Sequence, residues 1–183
     1  MGEWIGAVVA IVIVAVVAWL MIRSWRRRTE RDETISSYPM PSALAAATLE
    51  AEVLYVATTP TGQPLERLAV QGLAFRGSGR IELSPGGLVL RIAGEPATYL
   101  PAERIVAAGE ASYAIDRGVE PEGLVAITWI AQVADPELTA PHVDSYLRAR
   151  YPGDSARIIA AVNDIAAAHA ASRPEQESEA SDD

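Results

Sequence analysis

From Trp4 to Ile22 the chain reads WIGAVVAIVIVAVVAWLMI, a run of 19 residues without a charge. At about 1.5 Å per helical residue it reaches roughly 28 Å, close to the roughly 30 Å hydrocarbon core of a bilayer. The pattern predicts a transmembrane helix over 4–22, since a lone segment in lipid satisfies its backbone only by coiling into a helix. Trp4 and Trp19 lie near its ends and Trp25 just beyond, where an indole keeps its ring apolar and its N–H partnered. A cleaved signal peptide has basic residues before a shorter apolar core and a small-residue cleavage site after it. Here the basic cluster follows the core, so the helix reads as an uncleaved anchor.

The pattern then changes period. Residues 23–52 mix charges, Ser, Pro and Ala without strong apolar periodicity and read as a basic juxtamembrane segment and linker, with a short helix around 42–52. From 53 to 170 the signals are mostly those of strands. Residues 53–59 (VLYVATT) are β-branched and aromatic. Residues 65–72 are ambiguous, because Leu65, Leu68 and Ala69 would suit a helical turn begun by Pro64. Strands are expected at 73–77 and 80–84. In the latter Ile81 and Leu83 share one face, while Arg80, Glu82 and Ser84 share the other. Ser84-Pro85-Gly86-Gly87 is a turn, and Leu88, Leu90 and Ile92 alternate beyond it, so a β-hairpin is predicted. Further strands are expected at 97–100, at 105–108 paired with 112–115, at 124–132 as the most buried run, and at 144–148. Within 124–132, Val125, Ile127 and Trp129 share a face.

Pro152-Gly153 breaks the chain, and Asp154 reads as the N-cap of a helix over 155–172. Ile158, Val162, Ile165 and His169 make its apolar stripe, widened by Ile159 and Ala166. Residues 171–183 are polar, acidic and without aromatics, which predicts a disordered tail. The expected architecture is an N-terminal transmembrane helix plus an α+β, mainly-β domain over 53–170. About seven short strands form a small curved antiparallel barrel, and the C-terminal helix caps its open end.

Charge gives this arrangement an orientation. Only Glu3 precedes the apolar run, whereas Arg23, Arg26, Arg27, Arg28 and Arg31 follow it. Positive residues are retained on the cytoplasmic side, so residues 1–3 are expected outside and the domain inside, at the cell membrane. These arginines and the three Trp form the expected membrane interface, the bilayer being a partner through 4–22. The whole chain carries a net charge of −9. No basic patch is visible in the domain, and a nucleic-acid partner is not expected.

Several chemistries are excluded by composition. There is no cysteine, so disulfides and thiolate metal sites are absent. All 15 basic residues are arginine, which removes Schiff-base, pyridoxal phosphate, P-loop and kinase-lysine chemistry. Only one Asn and one Phe occur, a bias that reflects GC-rich coding more than function. His142 and His169 fit no zinc spacing. Gly77-Ser78-Gly79 lacks the pattern of a nucleophile elbow and reads as a tight turn. The pairs Glu120/Glu122 and Asp135/Glu137 fall in apparent loops without fixed geometry. No catalytic, metal or cofactor-binding residue is assigned.

Strands followed by a terminal helix resemble the pleckstrin-homology-like (PH-like) fold. The stretches Tyr55-Val56-Ala57-Thr58-Thr59, Gly72-Leu73-Ala74-Phe75-Arg76-Gly77 and Gly86-Gly87-Leu88-Val89-Leu90-Arg91 carry a closer likeness. So do Pro101-Ala102-Glu103-Arg104-Ile105, Gly123-Leu124-Val125-Ala126-Ile127-Thr128-Trp129 and Ser145-Tyr146-Leu147-Arg148. Together they resemble a family of small actinobacterial membrane proteins with a bacterial PH-like domain. Its members are described as membrane, export or transporter-associated, and their genes often lie near those of pyrimidine biosynthesis. The resemblance implies a membrane-tethered interaction module and transfers no active site. PH domains that bind phosphoinositides cluster basic residues in an early hairpin; here Arg76, Arg80 and Arg91 are the candidate anion or partner contacts, opposed by Glu66 and Glu82.

The expectation is a non-enzymatic adaptor that presents a cytoplasmic PH-like domain to a protein partner. One alternative is an accessory subunit of a membrane transport or export system, packing through the small residues Gly6 and Ala10. Another is an enzyme with an unrecognised site.

Overall fold

Strands form where alternation gives one apolar face, and the computed structural model, which describes residues 12–23, 35–111, 113–114, 117–118, 123–133 and 139–179, places them there. The chain divides into two units, Met1–Thr34 and Ile35–Asp183. In the first, residues 12–23 are helical (α1). Its apolar side chains, among them Val14, Trp19 and Met21, are exposed. The Arg23 guanidinium sits 5.5 Å from the centre of the Trp19 ring, within cation–π range. Among the described residues no helix is long and apolar enough to cross a membrane. Positions 4–11 of the expected span lie outside the described residues, as do Trp25, Arg26, Arg27, Arg28 and Arg31.

The second unit begins with β1 (Ile35–Ser36), β2 (Leu49–Pro60), β3 (Gly77–Ser84), β4 (Gly87–Ile92) and β5 (Thr98–Pro101). One turn of 3-10 helix (Ala102–Arg104) leads into β6 (Ile105–Ala111). Then come β7 (Tyr113–Ala114), β8 (Arg117–Gly118), β9 (Leu124–Ile130), β10 (Gln132–Val133), β11 (His142–Ala149) and α2 (Asp154–Glu179). Seven strands form one antiparallel sheet in the order β5-β4-β3-β2-β11-β9-β6. The sheet is open, since β5 and β6 are its two edges and do not pair. Yet only the three residues Ala102–Arg104 separate those edges along the chain, so the sheet must curl until its first and last strands meet at one corner. Gly87, at φ 140, lets β5 come close, because a side chain there would strike the Leu100 carbonyl oxygen.

The concave face holds the core. Tyr55, Ile81, Leu83, Leu88, Leu90, Val125, Ile127, Trp129 and Leu147 are buried there, and Ile158 and Val162 of α2 close it. Each such aliphatic side chain contributes on the order of 1.5–3 kcal/mol by leaving water. α2 packs chiefly on β6 and also on β9 and the 3-10 turn. A strap over 35–38 spans the open side: β1 pairs with β10, and Tyr38 bridges to Tyr99 of β5. The Tyr38 hydroxyl donates to the Ile130 carbonyl at 2.9 Å, and the Arg104 guanidinium lies 5.7 Å from its ring centre.

One polar line crosses the core. Trp129 Nε1 donates to Ser145 Oγ at 2.9 Å, Ser145 and Thr58 hydroxyls lie 2.7 Å apart, and Thr58 and Tyr55 hydroxyls 2.9 Å apart. Tyr55 donates to the Leu73 carbonyl at 2.7 Å. Counting one proton per hydroxyl fixes the direction: Trp129 to Ser145 to Thr58 to Tyr55 to Leu73. Tyr55 and Thr58 are three apart and would face opposite sides of a regular strand. The register skips Val56, pairing Tyr146 with Ala57 and Leu147 with Tyr55, and this bulge turns both inward.

The hairpin at Pro85-Gly86, the shared face of Val125, Ile127 and Trp129, and the helix stripe through Ile158 and Val162 are as expected. Other expectations are corrected. The folded unit starts at Ile35 rather than 53, because Ile35 is buried and the strap is hydrogen-bonded. No helix forms around 42–52; β2 starts at Leu49, and Ala51 joins the core. Residues 65–72 form no helical turn, and of the strand expected at 73–77 only Gly77 is in a strand, as the first residue of β3. Instead Leu68, Val70 and Leu73 bury singly from an irregular loop. Gly77-Ser78-Gly79 is the start of β3, not a turn. β6 pairs with β9 rather than with a neighbour at 112–115, where the described piece is β7, paired with β8. Asp154 is the first helical residue rather than a cap; its carboxylate takes the Arg157 guanidinium at 2.9 Å. The helix runs on to Glu179, past the expected start of the tail at 171.

Burial pushes the Tyr55 hydroxyl up to about 12, against 10.0 ordinarily. A phenol raised in the folded state stabilises fully below its unfolded pKa, and that contribution is lost as pH rises through the folded one. Stability to urea should therefore fall between pH 10.0 and about 12. Tyr55→Phe strands the Leu73 carbonyl and the Thr58 proton. It should cost about 1–3 kcal/mol at neutral pH and flatten part of that alkaline slope.

Candidate interaction surface

The convex face of β2, β3 and β4 carries what the concave face excludes. Alternation sends Ala51 and Val53 inward and Glu50 and Glu52 outward. In β3 it sends Ile81 inward and Arg80 and Glu82 outward, and in β4 it leaves Arg91 exposed between Leu90 and Ile92. Register then sets like charges opposite each other: Glu50 faces Glu82, and Arg80 faces Arg91. Direct like-charge neighbours are unfavourable. The side chains relieve this along the diagonals, Arg80 to Glu50 at 3.2 Å and Arg91 to Glu82 at 3.0 Å. Arg150, just after β11, reaches Glu52 at 3.4 Å.

The result is a charge lattice with both signs accessible. The side chains of Arg80 and Glu50 are 55% and 54% exposed. An open cleft of about 490 Å³ runs through it, lined by Glu52, Arg80, Glu82, Arg91 and Arg150 over Val53 and Ile92. A second cleft, of about 470 Å³, lies at the turn from β11 into α2, beside Arg148, Arg150 and Tyr151. Tyr151 is 55% exposed.

The structure thus brings together two of the three predicted contacts, Arg80 and Arg91. Arg76 is exposed at the end of the loop before β3 and does not line the cleft. Of the expected membrane-interface residues, only Trp19 and Arg23 are described, both in α1. Glu50, Glu52 and Arg150 were missed. The alternation Glu50-Ala51-Glu52-Val53 carries a signal for the first two, although the alanine-rich stretch 42–52 around it favours a helix.

Several other polar groups are tied into the fold. Asp144 Oδ1 accepts the hydroxyls of Thr128 at 2.7 Å and Thr61 at 3.0 Å, tying β11 to β9 and to the loop after β2. Arg67 donates to the Val56 carbonyl at 2.6 Å. Burial raises the hydroxyls of Tyr38, Tyr99 and Tyr146 above their ordinary value. His142 opens β11 and His169 lies in α2. Among the described residues no three His, Asp or Glu converge as metal ligands. Glu120, Glu122, Asp135 and Glu137 lie outside the described residues.

A family model described as bacterial PH domain-like matches residues 35–163, from the strap into α2. A search of the curated proteins finds no match to the chain.

Exposed pairs of this kind contribute about 0–1 kcal/mol each. Arg80→Ala and Glu50→Ala should therefore shift urea-unfolding stability by less than about 1 kcal/mol, and the shift should shrink with added salt.

Proposed function

We propose that this chain, which belongs to the bacterial PH domain-like family, is a non-enzymatic adaptor that presents its domain to a protein partner. The observation that carries this reading is the charge lattice. Arg80 beside Arg91 offers two guanidinium groups to one carboxylate, and Glu50 beside Glu82 offers two carboxylates to one cation. A partner that supplies both signs exchanges the weak diagonal pairs for direct ones. A simple polyanion meets the glutamates, so a protein surface of mixed charge fits better than a phosphate-rich ligand. Complementary charge of this sort sets register and encounter rate more than affinity.

The adaptor is held at a membrane by residues 4–22 in this reading, with the N-terminus outside and the domain on the cytoplasmic side. Support comes from the uncharged run, the arginines that follow it, and the exposed apolar side chains of α1. Anchoring benefits an adaptor because it raises the local concentration of whatever it binds. The same exposed helix favours a second reading, an accessory subunit of a transport or export system that associates through the helix itself.

Cross-linked detergent extracts of the full chain should yield a stoichiometric protein partner. The pair Arg80→Glu and Arg91→Glu should lose it while Arg76→Glu keeps it. Failure to recover a partner, or recovery indifferent to all three changes, contradicts the adaptor reading. Replacing residues 4–22 with an unrelated membrane helix should leave the adaptor working; loss of association by that exchange favours the accessory subunit.

A further inference from the structure

The connection from β2 to β3 reaches over the concave side of the sheet toward β5, and it is fastened on one side only. The Leu68 N–H donates to the Thr58 carbonyl at 2.8 Å, the Arg67 guanidinium to the Val56 carbonyl at 2.6 Å, and the Tyr55 hydroxyl to the Leu73 carbonyl at 2.7 Å. Each of these bonds ties it to β2. Between Leu68 and Leu73 a turn projects, closed by the Leu73 N–H on the Val70 carbonyl at 2.9 Å. Gly72 stands third in that turn at φ 80, the position where a type II turn needs a positive φ. Val70 is fully buried in the core cluster, whereas Ala69 and Gln71 are exposed.

The far side of the turn lands on β5 without being fastened there. Among the described residues no hydrogen bond joins residues 67–76 to β5. The contact is instead a close approach: a side chain on Gly72 would strike the Thr98 hydroxyl and the Pro96 carbonyl. Thr98 is 1% exposed, and among the described residues its Oγ1 is the buried side-chain atom that has no hydrogen-bond partner. A hydroxyl that is solvated in water and bare in the fold loses its hydrogen bonds on burial, where a valine of the same shape would lose none. The other core hydroxyls, those of Tyr55, Thr58 and Ser145, are joined in one line. The exception lies where the turn meets the sheet unfastened.

We propose that the turn 69–72 is a flap, hinged on β2 at Leu68 and Leu73 and poised to lift from β5, and that the Thr98 hydroxyl sets how readily it lifts. Closed, the flap buries that hydroxyl unpaired. Lifted, it returns the hydroxyl to water and opens the seat of Val70 among the core side chains. The closed state therefore carries a cost that the lifted state does not. Lifting gives up the contacts of Val70 and Gly72 and leaves the strand pairing whole, so it needs far less free energy than unfolding. The bond from Tyr55 to the Leu73 carbonyl lies on the hinge, so the polar line through the core survives the motion. The result is a local opening built into an otherwise filled core.

The chain has no cysteine, so a single introduced thiol reports its own exposure. Val70→Cys places one under the flap. Val125→Cys places one in β9, at a residue just as buried. The rate at which a small disulfide reagent labels each, in the full chain in one detergent buffer without denaturant, reads the opening that uncovers it. The thiol of Val70→Cys should be labelled at least about 100-fold faster than that of Val125→Cys. Adding Thr98→Val to Val70→Cys should slow its labelling roughly tenfold, because the closed flap no longer strands a hydroxyl. Equal rates at 70 and 125 overturn the proposal, since position 70 would then open only with the whole fold. So does a rate at 70 that Thr98→Val leaves unchanged, since lifting would then not release the hydroxyl. Should Val70→Cys lose the native far-UV spectrum, Thr98→Cys takes its place against Val125→Cys, and equal rates there overturn the proposal in the same way.

Discussion

A seven-stranded antiparallel sheet has two edges, and most of this domain is arranged around closing them. The sheet turns far enough for β5 and β6 to be joined by three residues, Ala102–Arg104, yet the two strands do not pair. The gap is spanned by other means. The strap at 35–38 ties β10 to β5, with Tyr38 reaching the Ile130 carbonyl and Arg104. On the other edge α2 covers the opening and lays Asn163 against Ala108. A fully paired barrel would need neither device. An open one needs both, because unpaired edge groups recruit further strands.

Curling also decides what the core contains. The concave side is filled by aliphatic side chains and Trp129, and the indole N–H must find a partner there. Ser145 supplies it, Thr58 and Tyr55 pass the demand along, and the Leu73 carbonyl ends it. The line joins β9, β11, β2 and the loop before β3, so it fixes their relative positions as well as satisfying its members. Such a network is stabilising only when complete. The bulge at Val56 completes it by turning Tyr55 and Thr58 to the same side. The convex side is the opposite in kind, a lattice of exposed Arg and Glu whose pairs add little to stability and are free to be exchanged.

Local signals and tertiary ones were legible to different degrees. The hairpin around Pro85-Gly86 could be read because turn chemistry and alternation agree within a dozen residues. The stripe of α2 and the buried strand of Trp129 were readable for the same reason. The start of the folded unit was not: Ile35 and Tyr38 are isolated apolar residues in polar sequence, and only the distant strands they touch give them a role. Residues 42–52 are alanine-rich, and intrinsic propensity pointed to a helix where pairing with β3 won. The bulge at Val56 has no local signature, so the polar line could not be foreseen. In the surface, Arg80 and Arg91 were visible as candidates, but their glutamate partners depend on register. Asn163, between Val162 and Asp164, looked like any solvent-facing position on a helix.

Closure by side chain in place of strand pairing has a direct signature in backbone protection. Among the described residues, the outward amide of Ala108 meets Asn163 and that of Glu110 meets no strand. Native-state hydrogen exchange, resolved by residue, should find the Ala108 amide exchanging as slowly as those between β2 and β11, and the Glu110 amide much faster. Equal, fast exchange at Ala108 and Glu110 would contradict the account, because the β6 edge would then be open in solution.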